Sequence, residues 1–534
     1  MKIESVCIVG GGTSGWSTAS ALLTLCPKIK VTLVETDDYP IIGVGESTLI
    51  AFNEFLRIID IPKSTDVEWM PECNATYKNG IRFTNFCKLD NNFFDYPFGN
   101  AIWSGEDLSF DMNTFFILNK KFPEIFNQYN FSEFFNDNAI LMCHNKQTYE
   151  NKINFNFYTD TAYHVDSEAF GQYLKHKKCL DNSNFNYINT KVLGPTFNTR
   201  GDLESLSCND CVIEADLFVD CSGFRSMLLE QGMKQKFISF KPHLLNDKAW
   251  AVRVPYDNPE EELLNVTDCR AYNNGWIWNI PLWNRLGMGY VFSSDFITPD
   301  NAQKEFIEYL KIHRPNRDVE NLDFNLVNIR HGYREKAWVK NVIGIGLSYG
   351  FIEPLESTGL ATTHDNILRM CHVLNMRDGF VSNYEIQLYN SIVQSSLLSF
   401  RDFVAEHYAM STREDTEYWK YCTNNVNYNE NIEVAIYDAY SFHDYQLDRV
   451  CGGDKYITSG MGINPIIHYR TFENNYIKKI QMFNPDLSVN DMKEGLSKHL
   501  KDLKEKHVDR LTSRKNYVMK LDSSYEFLRK NIYG

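Results

Sequence analysis

The stretch "SVCIVGGGTSGWSTASALLTLCP" at residues 5–27 decides the fold. It reads as an apolar strand, a glycine-rich turn and a small-residue helix that stops near Pro27. Gly10, Gly12 and Gly15 fit G-x-G-x-x-G, and a second strand, "KVTLVE" at 30–35, follows the helix. In that context each glycine has a task. Gly10 permits the tight turn, Gly12 lets a pyrophosphate approach the backbone, and Gly15 lets helix and strand pack closely. The helix N-terminus, with Thr13 and Ser14, faces the phosphate charge. Glu35 ends the second strand, placed to accept hydrogen bonds from a ribose. These features predict an α/β unit that binds a dinucleotide.

Two stretches point to a flavin rather than a nicotinamide dinucleotide. "IIGVGESTLIAF" at 41–52 is a second glycine turn leading into a helix, with backbone and hydroxyl donors at Glu46, Ser47 and Thr48. "ADLFVDCSGFRS" at 215–226 is a buried strand ending in Asp220, followed by a turn at Gly223. A third stretch, "NVIGIGLSYGFIEPLESTGL" at 341–360, is a strand, a turn and a helix start. Pro354 should end the strand pattern. Ser357 or Thr358 is placed to cap a helix beginning near Gly359, and the amides there form a small anion nest.

Bulk properties bound the function. The chain has 534 residues, 43% hydrophobic and 23% charged, with a net charge of −15. Such a chain buries a large core, and its negative field disfavours nucleic acid and anionic membranes. No run of 18 apolar residues occurs, and "MKIESVCIVGGG" enters a strand at once rather than a secretory leader, so the expected location is cytoplasmic. The 13 cysteines are scattered; "CNDC" at 208–211 has no partner ligands nearby, and no metal is expected.

Eight stretches, three of them within those already quoted, appear in a telling order. They are "GGGTSGW" at 10–16, "GVGEST" at 43–48, "NATYKNGIRFTNF" at 74–86, "AYHVDSEAFGQYL" at 162–174, "GWIWNIPL" at 275–282, "EPLESTG" at 353–359, "RDFVAEHYAMSTREDTEYW" at 401–419 and "SGMGINP" at 459–465. Together they resemble the flavin-dependent halogenases of the tryptophan-halogenase type. The resemblance implies an FAD-binding, Rossmann-like α/β module of the flavin-monooxygenase kind and a largely helical substrate-binding half. It implies that reduced FAD (FADH2), oxygen and a halide yield a hypohalous acid that travels through a tunnel to an electron-rich aromatic substrate.

By resemblance the roles fall as follows. Lys78 is the essential lysine; it either hydrogen-bonds the hypohalous acid or forms a haloamine with it. Glu356 stabilises the ring cation and accepts its proton. Thr358 and Gly359 hold the halide on their amides. Gly10, Gly12, Thr13, Ser14, Gly15, Glu35, Gly45, Glu46, Ser47, Val192, Leu347 and Leu360 hold the cofactor. Phe98, Trp276, Trp278 and Ser357 line the substrate side and the tunnel, and the tryptophan pair keeps substrate from the flavin. Taken singly, Lys78 reads as a surface lysine, Glu356 as a helix N-terminal acid and the tryptophans as core. A flavin-dependent aromatic hydroxylase is the alternative activity; a non-catalytic flavoprotein is a third.

With no second dinucleotide fingerprint, a separate flavin reductase is the expected partner, and a homodimer is possible by resemblance. The substrate segment near 93–105 supplies Phe93, Phe94, Tyr96, Phe98 and Trp103, with Tyr96 where the family often has histidine, so an indole or phenol is the expected class. Residues 1–365 are expected to form the flavin module, with 91–159 inserted, and 366–534 the helical substrate-binding region, all in one body. Leu496, Leu500, Leu503 and Leu511 recur at helical spacing.

Overall fold

The computed structural model describes residues 1–38, 45–86, 89, 93–99, 132–133, 136–409, 411, 413–425, 486, 488, 505 and 508–534. Its first strand, Ser5–Val9, sits inside a six-stranded sheet. The order is Trp338–Val339, Val342–Gly344, Leu217–Asp220, Ser5–Val9, Lys30–Glu35, Phe185–Asn189. All neighbours are parallel apart from the pair Trp338–Val339 and Val342–Gly344. The central strands are continuous Val, Ile, Leu and Phe because both faces are covered. Helix Thr13–Leu25 covers one face with Trp16, Ala19 and Leu22, and Cys26 closes it before Pro27 by bonding Leu22. From Ser5–Val9 the chain builds outward to Lys30–Glu35 on one side and returns as Leu217–Asp220 on the other. A crevice opens at the carboxyl ends of strands where the order reverses in this way.

A second, seven-stranded sheet is mostly antiparallel, in the order Asn325–Asn328, Lys248–Val254, Leu286–Phe292, Gly275–Pro281, Val266–Tyr272, Gly80–Thr84, Phe93–Pro97. Alternation along its strands separates two cores. Ile277, Met288 and Val252 pack with Phe306 and Leu310 of helix Pro299–His313. Trp276, Trp278 and Val291 face the main core. A small third sheet lines Glu46–Ser47 and Thr76–Lys78 against the two sides of Ala162–Val165.

Helices Thr358–Met376, Asn383–Ala409 and Glu417–Asn425 follow. The first packs against helix Thr13–Leu25 and runs straight through residue 365, so no break in the chain marks the expected boundary there. The C-terminus returns to the N-terminal half: Trp283 stacks on Tyr533 at 3.9 Å, and Tyr533 donates to the Ala75 carbonyl. Among the described residues no helix is long and apolar enough to cross a membrane.

The run "CVIEADLFVD" holds two strands, Val212–Glu214 and Leu217–Asp220, which join different sheets. The cysteines of "CNDC" sit at a hairpin turn, where the Cys208 amide donates to the Cys211 carbonyl. Leu511 is buried, whereas Leu496, Leu500 and Leu503 lie outside the described residues.

Candidate active site

The crevice is built by glycine geometry at the end of the first strand. Gly10 has φ +118°, and a Cβ there would lie 2.3 Å from the Cys221 carbonyl oxygen. A Cβ on Gly15 would lie 1.9 Å from the Gly10 oxygen, so strand, turn and helix close only without side chains. At Gly12 nothing stands within 4 Å of the missing Cβ, and the same holds at Gly223 on the neighbouring turn. These two openings form a cradle that a diphosphate can approach. Glu35 Oε2 lies against Gly11, while Oε1 accepts from Lys175 Nζ at 2.8 Å and Tyr187 Oη at 2.6 Å. The carboxylate is thereby fixed beside the cradle, against Gly11.

Some expected donors are already engaged. The Thr13 hydroxyl donates to the Ser167 carbonyl and the Thr48 hydroxyl to the Tyr163 carbonyl. Asp220 uses both oxygens on its own turn, accepting from Ser222, Leu228 and Leu229. Ser47 turns its hydroxyl away from the crevice, to Thr267 at 2.5 Å and Ser357 at 2.8 Å. The hydroxyl donors expected in "GEST" are therefore structural, and the backbone is what remains for a cofactor. The Glu46 side chain, by contrast, carries no hydrogen bond among the described residues, and desolvation pushes its carboxyl up to about 7. Gly45 precedes it at φ +126°. Leu347 lies in the turn Gly346–Ser348, where a Cβ on Gly346 would lie 2.4 Å from Ser14 Oγ. Leu360 lies in the first turn of helix Thr358–Met376, and Val192 opens the half-buried strand Val192–Phe197.

Lys78 is fully buried. It ends strand Thr76–Lys78, which pairs with Ala162–Val165 so that Thr76 meets His164 and Lys78 meets Ala162. Its Nζ donates to the Thr48 carbonyl and to Ser357 Oγ, both at 2.9 Å, and lies 5.2 Å from the centre of the Phe98 ring. Burial pulls the amine down to about 7, against the opposing pull of Cys269 and Glu356. A lysine so placed exchanges its proton near neutral pH.

Ser357 sits at the start of helix Thr358–Met376 with φ +58° and ψ +31°, an uncommon conformation for a residue with a side chain. It occupies the cap position, yet no side chain caps this helix, because the Ser357 hydroxyl is held by Lys78 and Ser47. The expected cap is thus absent. The first amides, at Thr358 and Gly359, lack a side-chain acceptor, and nothing lies within 4 Å of a Cβ built on Gly359. Unpaired amides with open space beside them suit a small anion.

Glu356, one residue earlier, is buried. Its Oε1 lies 2.7 Å from His407 Nε2, at ion-pair range but off the line of a hydrogen bond. His407 Nδ1 is 2.9 Å from the Phe403 carbonyl and so carries a proton. Trp276 is pinned too: its Nε1 donates to Glu353 Oε2, which also accepts from Asn246 and Tyr408. Trp278 lies 6.2 Å from it, with its ring packed over Gly289, where a Cβ would clash at 2.2 Å.

The structure therefore brings Lys78, Glu356, Ser357, Thr358, Gly359 and Phe98 to one region, and places the glycine cradle and Glu35 in another. Sequence reasoning missed His407, Thr267 and His164, and it named Thr48 only as a cofactor-side donor. His164 and His407 stand within quoted stretches, "AYHVDSEAF" and "VAEHYAM", and a histidine inside each stretch was the available signal. Trp103 lies outside the described residues. Among the described residues no group of three or more His, Cys, Asp and Glu side chains is arranged to hold a metal ion.

Known proteins resemble this chain over most of its length. A sequence profile described as tryptophan halogenase matches residues 5–458. The tryptophan 6-halogenase SttH of Streptomyces toxytricini is 32% identical over 442 residues, covering 78% of this chain and 80% of its own. The tryptophan 7-halogenase RebH of Lentzea aerocolonigenes is 31% identical over 435 residues, covering 78% of each chain. The apo structure of VirX1 superposes with a TM-score of 0.88 at 41% identity, covering 100% of both chains. The crystal structure of SttH does so with a TM-score of 0.81 at 26% identity, covering 99% of this chain and 100% of that one. A profile match across most of the chain, and relatives above 30% identity over more than two thirds of it, make this chain a member of the tryptophan halogenase family.

Proposed function

We propose that the protein is a flavin-dependent halogenase that uses FADH2, O2 and a halide to halogenate an electron-rich aromatic substrate of the indole or phenol class. Its relatives RebH and SttH are tryptophan halogenases, and a further structural neighbour, Tar14, is a flavin-dependent one. Bound reduced FAD, with oxygen, supplies the oxidising power that turns halide into hypohalous acid.

The chain's own residues do the rest. The turn from Gly10 to Gly15 and Glu35 hold the adenosine and diphosphate side of the cofactor. Thr358 and Gly359 hold the halide on uncapped amides. Trp276 and Trp278, fixed by Glu353 and by packing on Gly289, keep substrate away from the flavin. Lys78 receives the hypohalous acid and delivers the halogen. Glu356 stabilises the cationic ring and takes its proton. A separate reductase supplies the reduced flavin.

The observation that carries this reading is Lys78. A fully buried lysine, pulled to about 7, is costly to keep, and among the described residues its hydrogen-bond partners are Ser357 and Thr48. The test supplies the protein with FAD, a flavin reductase, oxygen and each of chloride, bromide and iodide. A panel of indoles and phenols, free tryptophan included, is read by mass spectrometry. Halogenated product is expected. Oxygenated product without halogen would instead identify an aromatic hydroxylase.

A further inference from the structure

The hydroxyl that receives Lys78 belongs to a longer chain whose direction is fixed by its far end. Thr76 Oγ1 donates to the Pro281 carbonyl at 2.6 Å, which uses its only proton. Its 3.1 Å contact with His164 Nδ1 is therefore made by a proton on the ring. Burial and the nearby Lys78 push His164 well below the usual imidazole range, so the ring is neutral and Nε2 is bare. Nε2 accepts from Thr267 Oγ1 at 2.9 Å. With its proton so used, Thr267 accepts from Ser47 at 2.5 Å. Ser47 in turn accepts from Ser357 at 2.8 Å, and Ser357 accepts from Lys78 Nζ at 2.9 Å. Every hydroxyl points away from the lysine. Thr76, His164, Thr267, Ser47 and Ser357 are all buried, so water does not scramble the order.

Strand pairing explains the alignment. Thr76 and Lys78 are two residues apart on one strand and share a face. His164 lies directly opposite both Thr76 and Ser47, on the two sides of the central strand of the small sheet.

We propose that this chain is a polarity lock on Lys78, with Thr76, His164, Thr267 and Ser47 as positioning residues that keep Ser357 a pure acceptor toward Nζ. The other partner, the Thr48 carbonyl, can only accept. Two of the nitrogen's positions are thus committed as N–H donors. The third is kept for the reacting species, as an N–H on the ammonium or as a lone pair on the amine. If the chain were free to reverse, Ser357 would donate to the amine and occupy that lone pair. The other titratable groups facing Lys78 are Cys269 and Glu356, and Glu356 is itself paired with His407.

The lock rests on the assignment of Lys78 as the halogen-handling residue, so the test has a readout independent of turnover. The full chain is labelled with 15N-histidine, and the His164 signals among the 13 histidines are assigned by their loss in His164→Gln. At pH 8 the wild type should carry the proton on Nδ1. In Thr76→Val that proton has no acceptor and should move to Nε2, reversing the chain. Turnover should then fall at least about tenfold and its pH midpoint should move down, because the amine gains a donor. Thr76→Ser should restore both. If Thr76→Val does not fold, Thr267→Val against Thr267→Ser breaks and restores the chain at its centre. A wild-type His164 protonated on Nε2, or a Thr76→Val variant with wild-type turnover and midpoint, would overturn the lock. A wild type that makes no halogenated product removes the assignment of Lys78, while the His164 tautomer and its response still decide the chain's direction.

Discussion

His407 Nε2 stands 2.7 Å from Glu356 Oε1, with both side chains buried. Nδ1 of the same ring donates to the Phe403 carbonyl, so Nε2 holds a proton only if the ring is charged. The imidazole is thus the close neighbour of the Glu356 carboxylate. Glu356→Gln should lower turnover by about 10²–10⁴ with FAD affinity unchanged, because general acid–base help is worth that much. His407→Phe should leave a buried carboxylate without a partner and lower stability by about 1–3 kcal/mol. Thermal unfolding and steady-state turnover separate the two effects. A Glu356→Gln enzyme with near-normal product would reassign the residue.

Lys78→Ala should abolish halogenation and leave the cofactor site intact. The glycine cradle at residues 10–15 and Glu35 belong to a different sheet from strand Thr76–Lys78, so their geometry does not pass through the lysine. The expected result is a loss of at least about 10³-fold in turnover, with FAD binding by fluorescence titration within about twofold of wild type. Halogenated product at the wild-type rate would remove Lys78 from the chemistry.

Desolvated ionisable groups shape the pH dependence of stability in opposite directions. Lys78 is pulled from an ordinary 10.5 to about 7, so between those values the unfolded chain holds a proton that the folded chain lacks. Stability from this group therefore rises with pH across that window. Glu46 is pushed from 4.5 to about 7, so between those values the folded chain holds the extra proton, and its contribution falls as pH rises. Lys63 shifts in the same direction as Lys78, so the wild-type curve mixes the two. Chemical denaturation of wild type and Lys78→Met at pH 7, 8, 9 and 10 (roughly the window between the two values) isolates Lys78. The wild type should gain relative to the variant at each step, and parallel curves would contradict the shift.

How much of this was legible beforehand follows from the range of the interactions. The Gly10–Gly15 turn and Glu35 are local consequences of strand, turn and helix, and pattern alone exposes them. Lys78 and Glu356 were reached only through a family resemblance, since a lone lysine or acid has no pattern that marks burial. The environment that gives them function is non-local. Lys78 meets Ser357 across 279 residues of chain, and Ser47 meets Thr267 across 220. The absent helix cap at Ser357 shows the same limit. Serine before a helix reads as a cap, and only the three-dimensional position of Lys78 and Ser47 diverts its hydroxyl elsewhere.

That diverted serine yields the last prediction. Ser357 holds φ +58°, a conformation costing a side-chain-bearing residue about 1–2 kcal/mol. Glycine there would relieve the strain, but it would raise the entropy of the unfolded chain by about 0.5–1 kcal/mol and delete the hydroxyl that serves Lys78 and Ser47. These terms oppose one another, so Ser357→Gly should stay within about 1 kcal/mol of wild type. Ser357→Ala keeps the strain and loses the same hydrogen bonds, so it should be the less stable of the two. Both remove the acceptor from Lys78 and should lose turnover alike. Thermal unfolding then separates glycine from alanine while the rate does not. If glycine instead kept full turnover, the Ser357 hydroxyl would matter to the fold alone.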